Sequence, residues 1–133
     1  MRIVLDTNVL LSGMFTRGVC EAVLDACFNT DQHVIVLSEH ILGEFEEHAS
    51  EKFGVPIAEV DTAVAFLRRH AEIVEPVRMP VSACKDPDDL PVLGTVVAGE
   101  GHLLITGDAA LLSVKRMNDA EILSPRVFFD RYC

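Results

Sequence analysis

Short apolar runs of strand length recur through the chain and never follow one another without a longer amphipathic or polar stretch between them. "RIVL" (2–5), "HVIVL" (33–37), "EIVE" (72–75), "LLIT" (103–106) and "EIL" (121–123) are rich in β-branched and aliphatic residues. The stretches between them carry helical spacing. "VCEAVLDACFN" (19–29) sets Val19, Val23, Ala26 and Cys27 on one face, and "PIAEVDTAVAFLRRH" (56–70) does the same with Ile57, Val60, Val64 and Leu67. Ser38 is suited to cap a helix over 39–53, and Pro56 fits the first turn of the helix that follows. Strands separated by helices favour a parallel sheet covered on both faces, so the predicted class is α/β. No repeat, low-complexity tract or linker interrupts the 133 residues, which are expected to form a single domain over 1–133.

Charge and composition remove several functional classes. With 11 lysines and arginines against 21 aspartates and glutamates, the net charge is −10. A surface that is a general nucleic-acid platform is normally basic, so that class is disfavoured. An enzyme that keeps its acids in a cation site and uses a few local cations, such as Arg17, Lys115 or Arg116, is not. No apolar run reaches the roughly 18 residues that cross a bilayer, and "MRIVLDTNVLL" lacks a small-residue cleavage site, so a soluble cytoplasmic protein with no membrane partner is expected. The four cysteines form no CxxC pair, which argues for reduced thiols and against a zinc site built on them.

The acids are not evenly spread. "KDPDDLPVLGTVVAG" (85–99) places Asp86, Asp88 and Asp89 within four positions, directly ahead of an apolar helix-like run. One of them can cap that helix; crowded carboxylates beyond the cap must be hydrated, protonated or neutralised by a cation. Asp86, ahead of Pro87, reads as a solvated turn residue. Open parallel sheets place their sites beyond the carboxyl ends of the strands. Asp6 directly follows "RIVL", Asp108 follows "LLIT" by one glycine, and Asp88 and Asp89 begin the helix after the third strand. Glu44 lies six residues beyond Ser38, within roughly 9 Å of its helix start at about 1.5 Å per residue. Four segments can thus bring carboxylates to one sheet edge. Asp6 and Asp108 also read as helix caps, and Glu44 lies only at the border of the buried stripe marked by Ile41, Leu42, Phe45 and Ala49.

Other chemistries fit less well. His40, Glu44 and His48 share a helix face at i, i+4, i+8, but one ion rarely spans both ends, and solvent-facing histidines are the simpler reading. "GEGHLLITG" precedes a strand rather than opening a helix, there is no Walker-type lysine motif, and no GxSxG elbow occurs. An aspartyl phosphatase wants a second Asp two positions after the first, where Asn8 stands.

"VLDTNVLLSG", Glu44 within "LSEHILGEFEEH", "KDPDDLPVLGTVVAG" and "LLITGDAALL" resemble, in order and spacing, the motifs of PIN-domain ribonucleases, most closely the VapC-like toxin branch of toxin–antitoxin pairs. The resemblance implies a three-layer α/β/α sandwich with a central parallel sheet and an acidic pocket binding Mg²⁺ or Mn²⁺. It implies hydrolysis of RNA to 5′-phosphate and 3′-hydroxyl ends. The four family acids fall on Asp6, Glu44, Asp89 and Asp108, with Asp88 sharing or taking the third role. Asp6, Asp88, Asp89 and Asp108 are then the metal ligands, and Thr7, Asn8 and Thr106 give polar support. The implied partners are an RNA substrate and a small antitoxin protein, with a homodimer left open. A catalytically inactive module that keeps the acids for metal or partner binding is the alternative.

Overall fold

The computed structural model describes all 133 residues. Six strands form one sheet in the order β3-β2-β1-β4-β6-β5, where β1 is Arg2–Leu5, β2 Val34–Ser38, β3 Ala71–Val74, β4 Leu103–Ile105, β5 Arg116–Met117 and β6 Ala120–Leu123. Every neighbouring pair is parallel except β5 with β6. The predicted α/β class holds, with one departure from an all-parallel sheet. A two-residue strand has no detectable periodicity, and β5 exists because Asn118, at φ 53°, lets the chain reverse tightly into β6.

Seven helices flank the sheet: α1 (Thr7–Phe15), α2 (Val19–Phe28), α3 (Glu39–Phe53), α4 (Ile57–His70), α5 (Leu90–Ala98), α6 (Ala109–Val114) and α7 (Pro125–Tyr132). The central strands are buried because helices cover them, which is why "RIVL" and "LLI" read as continuous apolar runs rather than alternating ones. Ser38 caps α3 as the sequence predicts, its hydroxyl accepting from the Ile41 N–H at 3.4 Å. That helix stops at Gly54, whose φ of 62° is a left-handed conformation that favours glycine. One core cluster runs through the molecule, from Ile3, Leu5 and Leu104 in the sheet to Phe45 in α3 and Phe128 in α7.

Topology positions the site. From β1 the chain steps to β2 and then β3 on one side, and α5 carries it back so that β4 pairs with the other edge of β1. Strand order reverses at β1 and β4, and a crevice beyond the carboxyl ends of strands at such a reversal is the usual binding place in open α/β sheets.

Candidate active site

Register decides which side chains meet. Leu5 lies opposite Ile105, and the Asp6 N–H donates to the Ile105 carbonyl at 3.0 Å, so Asp6 and Thr106 leave their strands side by side. The Thr106 hydroxyl donates to Asp6 Oδ2 at 2.6 Å, while the Thr7 N–H donates to Asp6 Oδ1 at 2.8 Å. Thr106 is itself oriented, because its oxygen accepts the Asp108 N–H at 3.0 Å and so turns its proton toward Asp6. Asp6 is only 6% exposed. Burial raises its pKa above the ordinary value; the hydrogen bonds from Thr106 and Thr7 oppose that, and the charges of Asp108 and Glu44 add to it.

Asp89 sits at the start of α5 and is 9% exposed. Its Oδ2 is buried with no hydrogen-bond partner. Burial first, then the carboxylates of Asp108, Asp6 and Asp86, push its pKa up to about 7. Asp108 divides its duties. Its Oδ1 caps α6, accepting from the Ala110 and Leu111 N–H groups at 2.7 and 3.3 Å, while its charge bears on both Asp6 and Asp89. Glu44 reaches the group from α3, where its Oε1 accepts from the Thr7 hydroxyl at 3.2 Å.

Asp6, Asp89 and Asp108 therefore stand within electrostatic reach of one another at the carboxyl edge of β1 and β4, and Glu44 joins them through Asp6. No three acid, histidine or cysteine side chains are drawn together tightly enough to enclose one ion. A magnesium-type ion does not require that, since it is commonly held by one or two carboxylates and completes its octahedron with water. Hard oxygen donors, a buried unpartnered oxygen on Asp89 and an Asp6 carboxylate fixed from two sides fit such an ion.

Several expected roles change. Capping at 85–89 falls to neither Asp88 nor Asp89. Asp86 Oδ1 accepts from the Asp88 N–H at 3.0 Å and caps a 3-10 turn at Pro87–Asp89, which frees the Asp89 carboxylate. Asp88 is exposed, and its side chain joins no hydrogen bond with the other acids, whereas Asp89 is buried among them. Asn8 is likewise exposed and outside the network that holds Asp6, unlike Thr7 and Thr106. His40 and His48 are half-buried rather than solvent-facing: His40 Nε2 lies 3.2 Å from Glu44 Oε1 without hydrogen-bond alignment, and His48 Nδ1 is buried without a partner. Among the cations, Arg116 pairs in register with Glu121, which is level with the start of β4, so it lies at the opposite sheet edge. Sequence reasoning passed over Thr95, whose hydroxyl donates to Ser38 Oγ at 2.9 Å and ties α5 to the end of β2; a lone hydroxyl in an apolar helix was its signal.

Residues 2–110 match the family model of the PIN domain. The chain belongs to the PIN-domain family. The match takes in Asp6, Glu44, Asp89 and Asp108. Two solved structures share the PIN fold seen here. One is a VapBC2 complex from Rickettsia felis bound to a DNA fragment from its promoter, with TM-score 0.63 and 16% identity over 93% of this chain and 98% of that one. The other is VapBC-1 from nontypeable Haemophilus influenzae, with TM-score 0.62 and 17% identity over 95% of this chain and 99% of that one. At this identity the likeness is one of fold. Among curated proteins no significant sequence match is found. No helix of this PIN domain is long and apolar enough to cross a membrane.

Proposed function

We propose that this PIN domain is a divalent-metal-dependent endoribonuclease and the toxin component of a toxin–antitoxin pair. The observation that carries the reading is the buried, unpartnered Asp89 Oδ2 set among the charges of Asp6 and Asp108 at the strand-order reversal. Buried carboxylates that face one another without a cation are unfavourable, and such arrangements cluster at functional sites. None of the protein's four cavities is lined by any of the four acids, so no enclosed small-molecule pocket is built around them.

Asp6 and Asp89 would hold a Mg²⁺ or Mn²⁺ ion, with Asp108 beside them. When bound, the ion supplies charge compensation on the phosphate and eases deprotonation of the attacking water. The chain's own residues do the positioning. Thr106 and Thr7 grip Asp6 by one hydrogen bond to each oxygen, holding its remaining lone pairs in a fixed direction. Glu44, on the far side of Thr7, orients the attacking water and offers it a base. As the water gives a proton to Glu44 its oxygen adds to phosphorus, the bond to the 3′ oxygen breaks, and that oxygen takes a proton from solvent, leaving a 3′-hydroxyl and a 5′-phosphate.

The partner proposed is a small basic antitoxin. The two solved neighbours are VapBC complexes, and a chain of net charge −10 attracts cationic segments at long range. The deciding experiment incubates purified protein with Mn²⁺ and end-labelled RNA beside an Asp6→Asn control. Metal-dependent cleavage lost in the control is the expected result; cleavage equal in both, or absent in the wild type, defeats the enzyme reading and leaves an inactive PIN module.

A further inference from the structure

We infer that the connection between β3 and α5 builds a nucleobase subsite beside the carboxylates, one that seats a base of single-stranded RNA flanking the scissile phosphate. This rests on the ribonuclease reading and deepens it. A cleft of about 580 Å³ opens there, floored by Val77, Met79, Val81, Pro87, Leu90 and Pro91. It lies on the same sheet edge as the acids, because it begins just past the carboxyl end of β3 and is walled by Pro87, Leu90 and Pro91, which bracket Asp89 in the chain. β3 is two strands from β1, a displacement of roughly 10 Å at about 4.8 Å per strand, so an RNA crossing Asp6 and Asp89 runs on over the cleft.

The chemistry of the lining favours a nucleotide. Val77 and Val81 are 44% and 75% exposed, apolar surface that water covers at a cost and a flat base would shield. Arg78 stands at the rim. The exposed Arg78, like Arg17, Arg69 and Arg116, makes no ion pair, and of these four it alone lines the cleft. A free guanidinium beside apolar walls can stack on a base or grip a phosphate, both common in single-strand recognition. Glu75, also in the lining, supplies an acceptor for an exocyclic amine. The cleft is also preformed. The Val77 N–H donates to the Gly94 carbonyl at 3.0 Å, and a Cβ on Gly94 would collide with the Val77 carbonyl oxygen, so the loop is seated directly on α5.

The test compares wild type with Val81→Asp and Arg78→Glu, both at exposed positions outside the carboxylate group, after thermal melts verify folding. Substrates are a short single-stranded RNA, the same RNA with an abasic position on either side of the cleaved bond, and bis(p-nitrophenyl) phosphate, which has no base. Each variant should raise KM for the intact RNA about tenfold, with kcat changed less than about twofold and turnover of the baseless diester unchanged. One abasic position should raise KM comparably in wild type and add little in the variants, since both remove the same contact. Unchanged KM in an active enzyme overturns the subsite and leaves the nuclease standing. Loss of antitoxin binding with unaltered RNA kinetics also overturns it and makes the cleft a protein-docking surface. Should wild type not cleave, the nuclease reading fails first; fluorescence anisotropy with the same labelled RNA then decides, and equal binding by all three proteins overturns the subsite.

Discussion

The two ends of the central strands treat charge in opposite ways. At the amino edge, Arg2 donates from Nε to the Gly99 carbonyl at 2.6 Å and forms an ion pair with Glu72 at 2.7 Å, while its backbone N–H is received by His102 Nδ1 at 2.9 Å. Each donor named there has its acceptor. At the carboxyl edge, Asp6 and Asp89 are more deeply buried, face further carboxylates, and include a buried oxygen with no partner. Charge at the amino edge is compensated within the fold, whereas charge at the carboxyl edge must be met by protonation, water or a cation. A 490 Å³ cavity adjoins the amino edge and a 580 Å³ cleft opens beyond β3 at the carboxyl edge, so concavity alone does not separate the two ends.

That contrast can be broken most severely at Asp6 and Asp89. Asp6→Asn and Asp89→Asn should each lower Mn²⁺-dependent RNA cleavage by about a hundredfold or more, and Glu44→Gln by about tenfold, with far-UV circular dichroism unaltered. Full activity in both aspartate variants would make them ordinary helix-terminus residues.

Next in size is the response to metal and pH. Asp89 and Asp6 hold their protons more tightly folded than unfolded, so between about pH 4 and 7 the folded state binds more protons and stability falls as pH rises. In chelator the melting temperature should therefore drop across that window, and Asp89→Asn should melt higher than wild type above pH 7. Added Mn²⁺ should raise the wild-type melt until saturation and move the variant less. An equal metal response in the two proteins would reduce Asp89 to a helix-terminal residue.

Thr106→Val sharpens the comparison more gently. It keeps the shape but removes the hydroxyl that donates to Asp6 and accepts from the Asp108 N–H, at a cost of about 1–3 kcal/mol for the groups left unpaired. Chemical denaturation measures that cost, and weaker Mn²⁺ stabilisation should accompany it. Smallest is Glu72→Gln at the amino edge, an exposed pair worth about 0–1 kcal/mol, with Mn²⁺ response and RNA cleavage unchanged. A changed metal response there would mean that the two edges are coupled.

Much of this was legible in the sequence because buried parallel strands and amphipathic helices each leave a period, and because acids directly after strands fall on one edge of a parallel sheet. Glu44 was not legible from its helix: His40, Glu44 and His48 share one face, and what distinguishes Glu44 is Thr7, thirty-seven residues away. The free carboxylate of Asp89 was hidden too, since whether Asp86, Asp88 or Asp89 caps depends on the turn the loop adopts around Pro87. The reading also assigned no element beyond residue 123, where Ser124 caps α7 through the Val127 N–H and Pro125 occupies its first turn, a signal carried by two residues rather than by periodicity.

The hydrogen bond from Thr106 to Asp6 joins residues 100 apart. During synthesis the chain emerges from its amino end, so β1, β2 and β3 can pair long before β4 exists, leaving one edge of β1 open in the interval. The carboxylate cluster cannot assemble on that intermediate, because Asp89, Thr106 and Asp108 arrive on the last third of the chain. Closing so long a loop is also among the slower steps available to a domain of this size. A β1–β3 sheet formed on the ribosome therefore lacks the acidic edge, which comes into being only once the chain through Asp108 has emerged.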